Sequence, residues 1–128
     1  MSTFVTHAAW TLTVAFTLSL AYEFYRATVR AGVSRHDSIR VFVREGIPLY
    51  VTAAVVIALL FAGYRWTVWV GLAFSLAAIA VSIVHYNPHI MIERRPALVD
   101  WFEDLVFTGL LFVAVAQLVY ALLDTAHW

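Results

Sequence analysis

The chain contains no cysteine and no lysine. The first absence removes disulfides, thiolate metal sites and cysteine nucleophiles. The second leaves all basic charge on arginine. Charge of either sign is scarce: 12% of residues are charged and the formal net charge is zero. No basic patch or excess therefore points to nucleic acid as a partner. Signatures of soluble enzymes are missing too, with no G-x-S-x-G, P-loop or G-x-G-x-x-G. Internal repeats, low-complexity segments and linkers are likewise absent.

What is present is apolar surface. Of the 128 residues, 63% are apolar, against about 45–50% in an average soluble domain. They are gathered in long uninterrupted runs, so one integral membrane domain is expected over residues 1–128. Four spans are read at about 4–25, 47–64, 66–86 and 105–123. Each is near the roughly 20 residues needed to cross about 30 Å of hydrocarbon. Within hydrocarbon the backbone must satisfy its own hydrogen bonds, so the spans are helices. The expected class is all-α, a four-helix transmembrane bundle. The first run has no basic residue before it and is of full spanning length, so it reads as a retained helix rather than a cleaved signal.

Arginine sets the orientation. Arg26, Arg30, Arg35, Arg40 and Arg44 fall in the first long loop, Arg94 and Arg95 in the second, and only Arg65 on the other side. The positive-inside rule then places the Arg-rich loops 26–46 and 87–100 in the cytoplasm and both termini outside. Trp10, Trp66, Trp69, Trp101, Tyr22, Tyr64 and Tyr86 fall near span ends, as interface anchors should.

The stretch "GVSRHDSIRVFVREGIP" predicts a short interfacial amphipathic helix between the first and second spans. Ser34 and Asp37 resemble a capping box, and Gly46 with Pro48 a stop signal. Ile39, Phe42 and Val43 share one face, and Asp37, Arg40 and Arg44 another. Pro96 opens "PALVDWFEDL", where the fourth helix is expected to begin below the membrane.

The densest chemistry lies in "HYNPHIMIERRP", residues 85–96. His85 and His89 have the spacing that collects imidazoles on one helical face. Pro88, however, lacks the donor to residue 84 and biases Asn87 away from helix, so the third helix is expected to end near Tyr86. A metal site would then need His85 and His89 brought together with a carboxylate such as Glu93. His7 and His85 lie at opposite depths and cannot share one haem, so a haem would need a second subunit to supply the other ligand.

Polar groups within the spans form stripes. Gly71, Ser75, Ala78, Ser82 and His85 recur at helical spacing in the third, and Ala9, Thr13, Thr17 and Ala21 in the first. Such stripes allow close helix packing, or they line a polar path ending at His85. Gln117 is the strongly polar group near mid-membrane, either an interhelical clamp or a solute contact. Glu23 reads as interfacial, with Arg26 as its natural partner. Glu103 and Asp104 are expected to meet Arg94, Arg95 or the arginines of the first loop. Seven arginines face seven acids on that side (Glu23, Asp37, Glu45, Glu93, Asp100, Glu103 and Asp104), a balance that predicts a salt-bridged cap.

The favoured function is a non-catalytic subunit or structural or regulatory component of a membrane complex, with the lipid bilayer and a homo-oligomer or larger assembly as partners. No cofactor is expected. One alternative is a homo-oligomeric channel or transporter with Gln117, Ser75, Ser82, His85 and Glu103 on its path. Another is a membrane-embedded metal or redox protein using His85, His89 and Glu93.

Overall fold

A computed structural model describes residues 3–124. Those residues are all helix and connecting turn, with four helices long and apolar enough to cross a membrane. They are α1 (Thr3–Thr28), α2 (Ile39–Ala62), α3 (Arg65–Met91) and α4 (Leu98–Leu123). This is the architecture of a small multi-pass integral membrane protein.

The α1–α4 seam is the spine of the bundle. Val5, Ala8, Leu12 and Ala15 on α1 and Leu111, Ala114, Leu118 and Ala121 on α4 are all fully buried. Alanine at this spacing lets the two backbones approach, which matters where lipid removes the hydrophobic drive between helices. Phe4 stacks on Tyr120 at 5.6 Å, so the helices run antiparallel and the first turns of α1 meet the last turns of α4. At mid-bundle Phe16 meets Phe74 at 5.4 Å and Phe107 at 5.3 Å.

The α2–α3 turn needs a glycine. Gly63 closes α2 with φ of 84° and donates to the Leu60 carbonyl at 3.2 Å, a left-handed cap that other residues resist. Tyr64 is extended, and its carbonyl accepts from the Thr67 hydroxyl at 2.6 Å. One helical step further, a Cβ on Gly71 would lie 3.0 Å from the Leu60 methyl carbons. The hairpin is therefore tight.

Several expectations change. The residues assigned to a separate interfacial helix form no such unit; from Ile39 onward they are the first turns of α2. The helix starts later than Ser34, with the Ser38 hydroxyl accepting from the Val41 amide at 3.2 Å. Gly46 and Pro48 do not stop it. Residues Phe42–Gly46 form a π turn, in which Ile47 bonds back to Phe42. The bonding frame changes next to Pro48, where a missing donor disturbs least. Likewise α3 does not end near Tyr86: its last stretch, Val81–Met91, is π-helical and passes through Pro88. The wider π turn eases the proline ring past the preceding carbonyls.

Among the proposed anchors, Trp10, Trp66, Trp69, Trp101 and Tyr64 are exposed on the bundle surface. Tyr22 is buried and Tyr86 faces a cavity, so these two serve the interior instead.

Candidate functional site

The two long connections and the helix ends beside them form an ion-paired cap. Arg26, on the last turn of α1, is 1% exposed. Its Nε donates to Asp37 Oδ1 at 3.0 Å and its Nη2 to Asp37 Oδ2 at 2.7 Å. Nη2 also reaches the Arg94 carbonyl at 2.9 Å, and Nη1 reaches Asp100 Oδ1 at 3.4 Å. Asp100 in turn accepts from the Tyr22 hydroxyl and, through Oδ2, from the Ala97 amide at 2.7 Å. That last bond caps the start of α4 with a carboxylate, where the helix dipole favours one. Asp37 is held by its own loop as well: its side chain accepts from Ser34 Oγ at 2.8 Å, and its carbonyl accepts from Gly32 at 2.8 Å. One guanidinium thus joins α1, both connections and α4.

A second fork lies beside the first. Arg94 donates to both oxygens of Glu23, at 2.9 and 2.8 Å, and to the Tyr86 hydroxyl at 2.9 Å. Its Nε stands 3.3 Å from Asp37 Oδ1. Burial opposes the Arg94 charge, but the Glu23 carboxylate, with help from Tyr86 and Asp37, outweighs it and raises the pKa. Arg94 is therefore charged at any ordinary pH. The expected Glu23–Arg26 pair does not form. Arg26 turns inward to Asp37 and Asp100, and the Arg from the other connection takes Glu23.

The metal candidates separate. His85 and His89 do come together, with rings 5.3 Å apart at a steep mutual angle, because α3 continues past Pro88. Both are exposed on the outer side of α3. Glu93 points elsewhere. It takes Arg35 Nε and Nη2 at 2.7 and 2.8 Å and His36 Nε2 at 2.7 Å. The Arg35 bonds, then the His36 bond, hold its carboxyl below the usual glutamate range. Among the described residues no three His, Asp or Glu side chains gather as a metal-ligand set.

The polar-path candidates are also dispersed. Gln117 lies in the half of the bundle away from the cap, its Oε1 2.9 Å from Thr11 Oγ1. That hydroxyl is also 2.8 Å from the His7 carbonyl, so its one proton serves one of them at a time. Ser75 is fully buried and its hydroxyl has no partner among the described residues. Ser82 meets Thr108 at 3.1 Å. The π-helical frame that begins at Val81 rotates His85 off the stripe and brings Tyr86 inward. Only Ser82 and Glu103 of the five share one space.

That space is a cavity of about 330 Å³ under the first half of α2. It exists because α2 buries only Ala53, Val56 and Leu60, all in its second half, so its first half stands off from the bundle. Tyr50 bridges the gap, bonding Ser19 at 2.8 Å and meeting Phe42 at 6.3 Å. Phe16, Phe74 and Phe107 form the floor, and Glu23, Tyr86, Arg94, Glu103 and Asp104 line the end nearest the cap. Glu103 and Asp104 were expected to find arginines, and they do not. With its amide oriented toward Asp104, Asn87 Nδ2 donates to the two carboxylate oxygens at 3.0 and 3.2 Å. Glu103 has no ion pair or hydrogen bond with any described residue.

Sequence reasoning named the acids and arginines of this end but missed the cavity and the inward roles of Tyr22, Tyr50 and Tyr86. The signal that was available is the tyrosine near the end of each of three sequence-read spans, beside the charged loops. Compared with protein-family models, with curated proteins and with solved structures, the chain matches none of them.

Proposed function

We propose that this small multi-pass protein is a non-catalytic component of a membrane complex, a subunit or a structural or regulatory bundle. It lies with its Arg-rich end in the cytoplasm and both termini outside. The observation that supports this most is the inward pairing of the cap. Arg26 and Arg94, with Asp37, Asp100 and Glu23, are engaged with one another inside a single chain. Buried charges paired in this way fix the geometry of the elements that carry them. Orientation rests on the arginine count across the two sides. In this reading the first turns of α2, with Ile39, Arg40, Val43 and Arg44 all facing outward, lie at headgroup depth.

The test is native mass spectrometry of the protein released from its own membrane in the mildest detergent that keeps it folded. A second protein at fixed ratio, or a defined homo-oligomer, is expected. A monomer that remains a monomer after crosslinking in the intact membrane overturns the reading. Orientation is tested separately in this cysteine-free chain: a thiol placed at Ser34 resists an impermeant reagent on intact cells, and one at Tyr64 reacts.

A further inference from the structure

Glu103 is 9% exposed and borders the cavity, yet among the described residues no arginine, histidine or hydroxyl bonds to it. A carboxylate taken out of water is expensive unless a charge or donor meets it. Arg94, on the same wall, forms no ion pair or hydrogen bond with Glu103. Arg94 is committed to Glu23 through both terminal nitrogens and to Asp37 through its flank. Asp104, beside Glu103 in the chain and on the same wall, has among the described residues only the Asn87 amide. Ionised, Glu103 and Asp104 would give the cap end of the cavity more negative charge than the described residues balance.

The remaining walls say what kind of counter-charge fits. Phe16, Phe42, Phe74, Phe107, Tyr50 and Tyr86 present aromatic surface to the same space. Aromatic rings together with a carboxylate recognise ammonium groups, through the ring quadrupole and the opposite charge. A bare metal ion needs several oxygen or nitrogen ligands converging on one point, and the described residues offer no such set of three. At about 330 Å³ the space lies at the lower end of small-molecule sites. Both π segments, Phe42–Gly46 and Val81–Met91, border it. Departures of this kind from α geometry are frequent at functional sites.

We propose that the cavity beneath α2 binds an amphipathic organic monocation, its ammonium against Glu103 and its apolar body over Phe16, Phe74 and Phe107. The same chemistry is carried by a free hydrophobic amine and by the headgroup of an aminophospholipid. The inference does not depend on the assignment to a larger complex.

The experiment is calorimetric titration of the full chain in a non-ionic maltoside detergent. The probes are 3-phenylpropylammonium and its trimethyl derivative, with 3-phenylpropanol as neutral control and 3-phenylpropionate as anionic control. Both cations are expected to bind at least tenfold more tightly than either control. Glu103→Gln should weaken cation binding at least tenfold while circular dichroism and elution stay unchanged. Should that variant fail to fold, Ala78→Phe, which fills the cavity from α3, takes its place and should abolish binding of both cations. Absence of cation binding overturns the proposal. So does equal binding of the alcohol, or binding that survives whichever of the two substitutions folds. Native mass spectrometry then identifies the source. A retained phosphatidylethanolamine displaced by the probe points to the lipid headgroup, and lipid-free protein that still binds the probe points to a free amine. A neutral or anionic lipid displaced by the cation counts against the proposal.

Discussion

Arg26 and Asp37 stand eleven residues apart and face each other as a two-pronged ion pair, at 3.0 and 2.7 Å. Both side chains are essentially without solvent contact, at 1% and 0% exposure. The pair closes the first connection back onto the end of α1. Through Asp100 and the Arg94 carbonyl it also ties that connection to the second.

Removing the guanidinium leaves Asp37 and Asp100 buried with too little positive charge. Arg26→Met should destabilise the protein by about 3–5 kcal/mol, the usual penalty for breaking a buried pair from one side. Arg26→Lys should also lose stability, because an ammonium cannot reproduce the fork. Unfolding in mixed micelles measures both. A loss below about 1 kcal/mol for Arg26→Met would show that Arg94, 3.3 Å from Asp37, takes over.

Tyr22→Phe removes one donor from Asp100 and nothing else from the cap. A bond to a charged acceptor is worth about 1.5–3 kcal/mol, and the loss should fall in that range. Asp100→Ala should cost more, since it also strips Arg26 of a partner and the Ala97 amide of its acceptor. The order of the two unfolding midpoints decides the point.

Glu93 has a pKa below the ordinary glutamate range because Arg35 and His36 bond its charged form. A depressed carboxyl contributes stability that is present above the unfolded-state pKa. That contribution is lost as the pH falls through the lowered folded-state value. Arg35→Gln should return most of the Glu93 titration toward normal, as read by carbon-13 NMR of the side-chain carboxyl. Thermal stability at neutral pH should hardly change, because the pair is exposed and screened. A large stability loss would mean that the connection depends on this outer pair rather than on Asp37.

Gly71 sits where α3 passes closest to Leu60. Leu60 is fully buried and has little room to give, so Gly71→Leu should cost about 1–3 kcal/mol as an overpacked contact. Leu60→Ala should relieve part of that loss in the double variant. Independent, additive losses in the double-variant cycle would contradict the contact.

The helices were legible because hydrocarbon leaves a chain few choices, and a run such as residues 105–123 carries no charge to suggest another fate. The ends were less legible. Pro48 and Pro88 are breakers in an α frame, and nothing local announces that Phe42–Gly46 and Val81–Met91 adopt a wider one. That frame decides which side chains face inward, so the stripe that helical spacing carries to His85 passes in space to Tyr86. The cap was legible as a balance of charge but not as a wiring diagram. Glu23 has Arg26 as its neighbour in sequence and Arg94 as its partner in space, and only the packing of the two connections separates these. The cavity was illegible for a similar reason. It comes from the standing-off of half a helix, whose residues are as apolar as those of the packed half.

The half-packed helix has the geometry of a lever. Its seated part begins at Ala53, and its cap-side end is Ile39, fourteen residues away. At 1.5 Å per residue the arm is about 21 Å long. A tilt of about 5° at the fulcrum would carry Ile39 through about 2 Å, roughly the radius of a methyl group. The ring of Phe42 would move with the arm, while the floor of phenylalanines on α1, α3 and α4 stays in place. Such a tilt would change the width of the cavity without unseating Ala53, Val56 or Leu60.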